Sequence, residues 1–587
     1  MKTNRIILSI AVLSAVVLAV PSAAVAHQRP STYTNQLDLR MPDGSQAASC
    51  ADPDIIRSQI RGDRNWYLYC TTDALSETRN VDGELDFHSI PIFRSTDLEH
   101  FSYVGDAFAG APAWIGIDAG LWAPEIAYRD GRYLLYYTAS DTAAGGSAIG
   151  VATSASPAGP WVDSGAPVVA PDASGRWQFD PEVLTAKGHS YLYFGSYFGG
   201  IHARELSADG LTSLPATETP IAIDNRYEAT VIVKHGGWFY FMGSATNCCA
   251  GPLTGYSVFS ARSRSPLGPF IDRDGASILD NRVGGTPVLS QNGNRWVGTG
   301  HNTVFTDFDG QDWTIYHAVD KTDPYYAGET GYTKRPALLD PLDWRNGWPT
   351  VRGGAGPSDR TMPAPAAQPH QHTAYSPRFE RDAMPGKKLT RFSDSFAGTT
   401  LSNQWTWVRP DAATFQLTDG RLVWQTQAAD LQPPAEPLAS VLTEAAPRGD
   451  FMVEAKVSVS TGNDDSVQNY VQGGLVIYRD DANYVRLASA SIWNTRQTEF
   501  GIHVTPQPGF PSYGNGVVGP VADSTYLRIV REGDLYTAYS SVDGHSWDKG
   551  GTWQAGLGSS ARIGLVSMGG SGFTSSFDYV KVSRLRK

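Results

Sequence analysis

A motif that recurs five times constrains the fold of this chain more than any other feature. In each copy, a run rich in β-branched or apolar residues is followed by a turn and then by an aromatic run. The fourth copy begins at Glu228 with Glu-Ala-Thr-Val-Ile-Val-Lys, and its aromatic run begins at Trp238. Two such runs around a tight turn predict a β-hairpin. The residues that open the five copies are Asp52, Ala123, Asp180, Glu228 and His301.

The spacing of the copies predicts a radial arrangement of the hairpins. Successive opening residues are roughly 50–75 residues apart, which is the length that one propeller blade of four short strands requires. We therefore predict an all-β fold in which residues 27–360 form a five-bladed β-propeller. Because the first strand of each blade lines the central channel, we expect the opening residues to lie near the axis.

The first 26 residues have the pattern of a secretory signal peptide. Lys2 and Arg5 precede an apolar stretch from Ile6 to Val20, and Ala24-Val25-Ala26 is a small-x-small cleavage site. The stretch is short for a membrane anchor, which is the competing interpretation. We therefore expect a secreted, extracellular protein that is not held in a membrane.

Composition narrows the range of partners. The 587 residues carry a formal net charge of −12, only 18% are charged, and 16 Trp and 27 Tyr are present. An acidic chain without a basic stripe is not expected to bind nucleic acid. Abundant aromatic side chains and low charge favour a neutral partner such as a sugar.

The C-terminal third predicts a second domain. Residues 361–388 are rich in Pro, Ala and His, which indicates a solvated linker; a metal site at its two closely spaced histidines is the less favoured interpretation. From residue 389 the apolar alternation returns, with roughly a dozen short strands over about 200 residues. Residues 389–587 are therefore predicted to form a two-sheet jelly-roll β-sandwich.

The four cysteines allow one or two disulfides. Cys50 precedes the first channel strand and Cys70 ends its hairpin partner, so a Cys50–Cys70 disulfide is plausible in an oxidising compartment. Cys248 and Cys249 are adjacent and form either a vicinal disulfide or two buried thiols, of which we favour the thiols. The spacing matches no zinc pattern.

Three of the opening residues suit glycoside hydrolysis. An inverting glycosidase places two carboxyl groups about 6.5–9.5 Å apart, with a water between them. We predict Asp52 as the general base, Glu228 as the general acid, and Asp180 as the negative charge that raises the pKa of Glu228. Taken singly, an Asp before Pro often only caps a turn, and Glu228 could be a solvated strand end. Glu125 lies two residues beyond its opening residue, so we interpret it as structural.

Weaker predictions concern substrate and metal. Trp122, Gln178, Ser196 and Phe198 are candidate substrate contacts, because aromatic and amide groups suit furanose rings; structural packing is the alternative for the two aromatic residues. His301 is a candidate ligand for a hydrated cation in the channel, with a hydrogen-bonded core histidine as the alternative.

These motifs together resemble glycoside hydrolase family 43. They include Ala51-Asp52-Pro53-Asp54, Leu121-Trp122-Ala123-Pro124-Glu125, Phe179-Asp180-Pro181, Tyr227-Glu228-Ala229 and Gly300-His301-Asn302. The resemblance spans about residues 45–355. It implies an inverting five-bladed enzyme acting on plant-wall polysaccharides, in which the family's base, pKa-modulating acid and proton donor match Asp52, Asp180 and Glu228.

Within that family the chain is most similar to arabinan endo-1,5-α-L-arabinosidases. Gly195-Ser196-Tyr197-Phe198-Gly199-Gly200-Ile201 resembles their substrate-contacting channel segment, and Asn247-Cys248-Cys249-Ala250-Gly251 resembles part of their fourth blade. The resemblance implies cleavage of α-1,5-linked arabinan, endo or exo, and a Ca²⁺ ion that His301 helps to hold together with water. Separately, we expect the protein to be a monomer. The C-terminal region is similar to concanavalin-like modules.

Three other functions stay open at this point. The first is a β-xylosidase or α-L-arabinofuranosidase acting on xylan or arabinoxylan. The second is a retaining fructan hydrolase, which needs carboxyl groups about 5–5.5 Å apart. The third, from another class, is a non-catalytic carbohydrate-binding protein.

Overall fold

The computed structural model describes residue 1 and residues 31–410, 414–432, 437–461 and 469–586. Nearly all of the predicted signal peptide therefore lies outside the described residues. Within these ranges, no helix has the length and apolar character needed to cross a membrane. The described helices are three short 3₁₀ turns: Gly251–Leu253, Arg352–Gly354 and Thr390–Phe392.

Five sheets form the propeller, as the repeat predicts. Their first strands contact one another in sequence around a closed ring and line the channel. From the channel outward, blade 1 comprises Asp54–Arg57, Trp66–Tyr69, Pro91–Ser95, His100–Asp106 and Asp38–Arg40; blade 2, Leu121–Arg129, Arg132–Ala139, Ala148–Ser154 and Val162–Asp163; blade 3, Glu182–Ala186, His189–Ser196, Gly200–Leu206 and Ser213–Ala222; blade 4, Glu228–His235, Trp238–Ala245, Ser257–Ser263 and Thr286–Leu289; and blade 5, Trp296–Thr306, Asp312–Asp320, Ala337–Arg345 and Trp348–Val351.

The ring closes between blades 5 and 1. Asp38–Arg40 runs parallel to the outer strand His100–Asp106 of blade 1, and the backbone N–H of Leu37 donates to the carbonyl of Ala337 in blade 5 at 3.0 Å. Thr32–Tyr33 pairs with Met362–Pro363, so the two ends of the domain join each other. A further hairpin, Asp73–Arg79 with Leu85–His88, projects from blade 1.

The segment predicted as a solvated linker is packed in its first part. Ala364, Ala366 and Ala367 are buried, and the Trp66 indole N–H donates to the Ala367 carbonyl at 2.9 Å. The expectation of solvation is wrong for these residues, because their small side chains fit closely over blades 1 and 5. His372 further along is exposed and pairs with Asp309.

The C-terminal region is a β-sandwich, which confirms the prediction of two stacked sheets. Trp424, Leu475 and Ile529 are among the residues of its buried core. In order, one sheet contains Phe415–Thr418, Arg421–Gln425, Thr574–Leu585, Phe451–Val459, Thr525–Glu532, Leu535–Ser541 and Asp548–Gln554, with Pro385–Lys388 also paired to Thr574–Leu585; the other contains Thr406–Val408, Val441–Ala445, Arg562–Met568, Gln472–Asp480, Asn483–Ile492, Thr495–His503 and Tyr513–Val517.

All four cysteines form disulfides. Cys50 and Cys70 are bonded, with a Cα–Cα distance of 4.9 Å, as predicted from their places at the ends of a paired hairpin. Cys248 and Cys249 are bonded to each other as well. The favoured interpretation of the adjacent pair as two thiols is therefore wrong.

The sandwich packs on the propeller through polar contacts at blade 4. The buried Arg226 donates from Nη1 to Gln497 Oε1 at 2.6 Å, and the N–H of Arg496 donates to the Asn281 carbonyl at 2.7 Å. Asn225, which is three residues before Glu228, donates to Asn494 at 2.8 Å. The second domain is thus attached beside the strand that carries the predicted acid.

Candidate active site

A repeated hydrogen bond holds the opening residues around the channel. In four blades, a side chain on or just beyond the second strand accepts the backbone N–H of the opening residue of the next blade. Thr71 accepts from Ala123 and Thr138 from Asp180, each at 2.9 Å. Ser244 accepts from His301 at 2.9 Å, and His317 Nδ1 accepts from Asp52 at 3.2 Å, which closes the ring. The five blades therefore position the channel residues cooperatively.

The opening residues share a left-handed backbone conformation, with φ between 45° and 54° at Asp52, Ala123, Asp180 and His301. Side chains disfavour this region, and such strained residues concentrate at functional sites. In three of the four blades a proline follows, which marks the position in the sequence. The conformation turns the chain into the channel strand.

Blade 4 departs from this register by one residue. The left-handed residue there is Ala229, with φ of 56°, and its N–H donates to Asp180 Oδ2 at 2.9 Å. Glu228 lies opposite Ser244, as Trp122 lies opposite Thr138 and Gly300 opposite His317, and the same bulge follows in all three blades, so Glu228 occupies the position just before the opening residue. The prediction that Glu228 occupies the same register as Asp52 and Asp180 is therefore wrong, since no proline marks the position in this blade.

Asp52 is buried at the meeting point of three nitrogen-bearing side chains. Its Oδ1 lies 3.2 Å from Arg335 Nη1, 3.0 Å from His301 Nδ1 and 3.2 Å from His317 Nδ1. Burial by itself raises the pKa of this carboxyl, but the Arg335 and His301 charges outweigh burial and hold the pKa well below its usual range. Asp52 is therefore ionised at neutral pH.

Glu228 has the opposite protonation behaviour. Ser196 Oγ donates to Glu228 Oε2 at 3.0 Å, and Tyr256 bonds the same carboxyl group. Burial, and next the negative charge of Asp180, raise the pKa of Glu228 to about 7. A large fraction of this group is consequently protonated near neutral pH, as a general acid requires.

Asp180 interacts electrostatically with both of these carboxyl groups. Burial raises its pKa, the nearby His301 charge opposes that rise, and the charge of Asp52 adds to it. Through Oδ2 it also holds the backbone N–H next to Glu228. Asp180 therefore acts on Glu228 both by charge and by positioning.

Exposed aromatic side chains cluster around the channel mouth. Trp122, which is 37% exposed, has its ring centre 5.6 Å from that of Phe179. The ring centre of Trp177 lies 4.9 Å from that of Phe179 and 4.5 Å from that of Phe198, which is 50% exposed. Trp122 and Phe179 directly precede the opening residues of their blades, so this cluster forms a hydrophobic border beside the carboxyl groups.

The remaining predicted contacts are buried. Ser196 has no exposed surface and bonds Glu228. Gln178 is also fully buried, and neither of its side-chain amide atoms has a partner among the described residues. The structure thus places Ser196 beside Glu228 and Trp122 and Phe198 in the aromatic cluster, whereas no hydrogen bond within the described residues links the buried Gln178 side chain to the site.

Comparison with known proteins identifies the family. Residues 46–349 match the model of glycosyl hydrolases family 43, and residues 393–574 match that of the beta xylosidase C-terminal concanavalin A-like domain. The chain belongs to glycoside hydrolase family 43. This membership makes the protein a glycosidase, and the interpretation as a non-catalytic binding protein is not supported.

This family 43 glycosidase is similar to two extracellular bacterial enzymes. An extracellular exo-alpha-(1->5)-L-arabinofuranosidase, ArbA, of Cellvibrio japonicus is 29% identical, over 52% of this chain and 88% of its own length. An extracellular endo-alpha-(1->5)-L-arabinanase of Bacillus subtilis is 28% identical, over 50% and 86%. A solved Cellvibrio cellulosa alpha-L-arabinanase, complexed with arabinohexaose, is 27% identical over 52% and 96%, with a TM-score of 0.44.

Two residues of this family 43 site escaped sequence reasoning. Arg335 and His317 both contact Asp52 but lie 283 and 265 residues from it along the chain. His317 ends the aromatic run of the fifth copy, at the position that Ser244 and Thr138 occupy in blades 4 and 2. Alignment of the second strands of the blades could therefore have found it. Nothing in the local pattern marks Arg335.

The geometry around His301 does not form a calcium cage. Burial lowers the pKa of this imidazole, but the charges of Asp52, Asp180 and Glu228 outweigh burial and raise it to about 9. Ca²⁺ takes six to eight oxygen ligands, and within the described ranges no group of three or more His, Cys, Asp or Glu side chains could hold a metal ion. The residues present therefore do not fit a protein-ligated Ca²⁺, and the calcium ion stays a prediction from resemblance.

A second layer of carboxyl groups lies further along the channel strands. Asp54, Glu125 and Glu182 line a cavity of about 540 Å³. Each accepts a backbone N–H from the next blade: Ile126 at 2.7 Å, Val183 at 3.1 Å and Ile232 at 3.0 Å. Burial raises the pKa of all three groups, that of Glu182 to about 8. This layer connects blades 1 to 4, in keeping with a structural role for Glu125.

Proposed function

We propose that this family 43 glycosidase is a secreted enzyme that hydrolyses α-1,5-linked L-arabinofuranosyl bonds of arabinan with inversion. The observation that carries the proposal is the opposed protonation of two carboxyl groups on one channel. The pKa of Asp52 is held well below its usual range, whereas that of Glu228 is raised to about 7. One base and one acid are thus available together near neutral pH.

The proposed reaction is a single displacement by water. Asp52 accepts a proton as a water oxygen attacks the anomeric carbon, and Glu228 donates its proton to the leaving glycosidic oxygen. One carbon–oxygen bond forms as the other breaks, and exchange with solvent restores both carboxyl groups. Arg335 keeps Asp52 ionised, and Asp180 keeps Glu228 protonated.

Two observations support arabinan as the substrate. The relatives named above act on α-1,5-linked arabinofuranose according to their names. The aromatic border formed by Trp122, Phe179, Trp177 and Phe198 offers apolar surface to a neutral sugar chain. A negatively charged substrate would instead be repelled by the net charge of −12.

Product profiling on linear α-1,5-arabinan tests the substrate and the mode of cleavage. A ladder of oligomers with a rapid fall in viscosity means endo cleavage, and release of arabinose or one short product alone means exo cleavage. No hydrolysis of arabinan would refute the proposal. Product anomer analysis by NMR tests inversion, and initial formation of the retained anomer would contradict Asp52 as a base.

A second candidate is a β-xylosidase or α-L-arabinofuranosidase that acts on xylan or arabinoxylan. It is favoured by the match of residues 393–574 to a domain named for beta xylosidases. A substrate panel separates the two functions: activity on aryl β-xylosides without release from arabinan would select the xylosidase.

Secretion is proposed from residues 1–26 and from the extracellular names of both relatives. N-terminal sequencing of the protein from culture medium should find His27 as the first residue. Retention of the full-length chain inside the cell would contradict this part of the proposal.

A further inference from the structure

A pocket outside the channel lies where three parts of the chain meet. It is bounded by the outermost strands of blades 4 and 5, Thr286–Leu289 and Trp348–Val351, by the segment around Glu380, and by the sandwich strand Asp548–Gln554. Its volume is about 260 Å³. The outermost strand of a blade is three strand spacings, roughly 14 Å, from the innermost one. This junction pocket is therefore separate from the carboxyl groups of the channel.

Aromatic side chains from both domains line the junction pocket. Trp547 of the sandwich is half-buried, and the Arg528 guanidinium covers its ring at 3.5 Å. Trp348 of blade 5 packs against Arg262 at 4.6 Å. Indole rings supply apolar surface together with a polar edge, which suits ligands that are themselves amphipathic.

Two further lining side chains carry polar atoms without a partner. Gln291 Oε1 and Ser290 Oγ are both buried, and neither has a hydrogen-bond partner in the described part of the chain. Buried polar atoms in folded proteins are normally paired. Both atoms have almost no accessible surface, so they lie just below the pocket wall, and a ligand would contact the neighbouring wall atoms instead.

The charges of the junction pocket cancel. Three basic and three acidic side chains line it, and most are paired within the wall: Arg273 with Asp548, and Lys549 with Glu380 at 2.7 Å. Arg345 donates to the Glu380 carbonyl at 3.1 Å. Without a net field, neither an anion nor a cation is attracted. The pocket favours a neutral ligand.

We propose that the junction pocket is a second carbohydrate-binding site, which holds one or two sugar units of a neutral polysaccharide chain. The volume is slightly below the 300–1,000 Å³ typical of drug-sized ligand sites, in line with so short a segment. The choice of arabinan as the first probe rests on the proposed function. Such a site keeps the enzyme on the polymer while the channel cleaves bonds elsewhere.

The test is migration of the full-length protein through native gels that contain linear arabinan or, separately, xylan. Trp547→Ala removes the half-buried indole ring, and Thr350→Gln extends a side chain at the pocket wall. We expect the dissociation constant for the retarding polysaccharide to rise at least fivefold in both variants. Trp161→Ala, which removes a half-buried indole on blade 2, is the matched control and should migrate like the wild type.

Hydrolysis of a short aryl arabinoside or xyloside is measured in parallel and should stay within twofold in both pocket variants. Unchanged retardation of Thr350→Gln, confirmed as folded by its melting temperature, would overturn the proposal. So would wild-type migration that neither polysaccharide slows. Retardation by xylan alone, without arabinan hydrolysis, would refute the arabinan function but keep the pocket, so the two failures are distinguishable.

Discussion

At the scale of single residues, two carboxyl groups on one channel differ in protonation because their neighbours differ. Asp52 faces Arg335 and His301, whereas Glu228 is half-buried beside the acidic Asp180. An opposite charge within a few ångströms favours ionisation, and burial with a like charge opposes it. The assignment of base and acid therefore follows from the surroundings rather than from the carboxyl groups themselves.

The first prediction concerns Glu228. In Glu228→Gln, kcat/KM on arabinan oligomers should fall about 10²- to 10⁴-fold, because a proton donor is lost. The fall should be much smaller on an aryl arabinoside whose leaving group needs no proton. Steady-state kinetics on both substrates measure the difference. Equal losses on the two substrates would mean that Glu228 is not the acid.

The second prediction concerns the pH dependence. The proposed mechanism requires ionised Asp52 and protonated Glu228, so kcat/KM should decline above about pH 7 as Glu228 loses its proton. In Arg335→Gln the pKa of Asp52 should rise. The acidic limb of the kcat/KM–pH profile should therefore move to higher pH, whereas the alkaline limb should not move. Arg129→Gln, a change at the end of the blade 2 channel strand that is remote from Ala123, serves as control. An unmoved acidic limb in Arg335→Gln would refute this role.

At the scale of elements, the blades are connected by side chains that accept backbone N–H groups of their neighbours. One layer holds the opening residues, and a second layer, formed by Asp54, Glu125 and Glu182, holds the strands further along. Such accepting groups stabilise the ring, but burial makes their ionisation costly. The second layer should consequently make the free energy of unfolding depend on pH.

The third prediction concerns that dependence. The folded pKa of Glu182 is about 8, above its ordinary value near 4.5, so the folded state binds the proton more tightly. The stabilisation that comes from this tighter proton binding is fully present below about pH 4.5 and is lost as the pH rises through about 8. In Glu182→Gln, the decrease in melting temperature between pH 6 and pH 9 should be smaller than in the wild type. Glu205→Gln on the surface is the control, and an equal decrease in Glu182→Gln would contradict the shift.

At the scale of the whole molecule, the sandwich and the propeller share a polar interface beside the active site. Arg226, which is two residues before the predicted acid Glu228, is 2% exposed and donates to Gln497 across the interface. Removal of one partner leaves a buried charged group unsatisfied, which costs more than the hydrogen bond itself contributes. The interface therefore couples the stability of the two domains.

The fourth prediction measures this coupling. Gln497→Ala should lower the free energy of unfolding by about 1–3 kcal/mol. In a double-mutant cycle with Arg226→Met, the interaction free energy should be about 0.5–3 kcal/mol. Denaturant unfolding followed by tryptophan fluorescence gives both values. Additive effects of the two substitutions would show that the domains are not coupled through this pair.

Local sequence patterns determined the architecture and most of the chemistry. The fivefold recurrence of β-branched and aromatic runs predicted the blade number, because alternating side chains specify strands wherever they occur. Prolines after Asp52, Ala123 and Asp180 marked three channel positions, since each follows a residue in the same backbone conformation. Cys50 and Cys70 could be paired because they flank the two strands of one hairpin, Cys50 before the first and Cys70 after the second.

Only the tertiary structure decided the features that depend on distant parts of the chain. That Glu228 precedes the opening position of its blade by one residue follows only from its pairing with Ser244, because no proline marks that position in the sequence. Arg335 reaches Asp52 only because closure of the ring brings blade 5 against blade 1. The junction pocket exists because the sandwich packs on blades 4 and 5. Such contacts depend on how separate elements assemble, and local periodicity carries no information about that assembly.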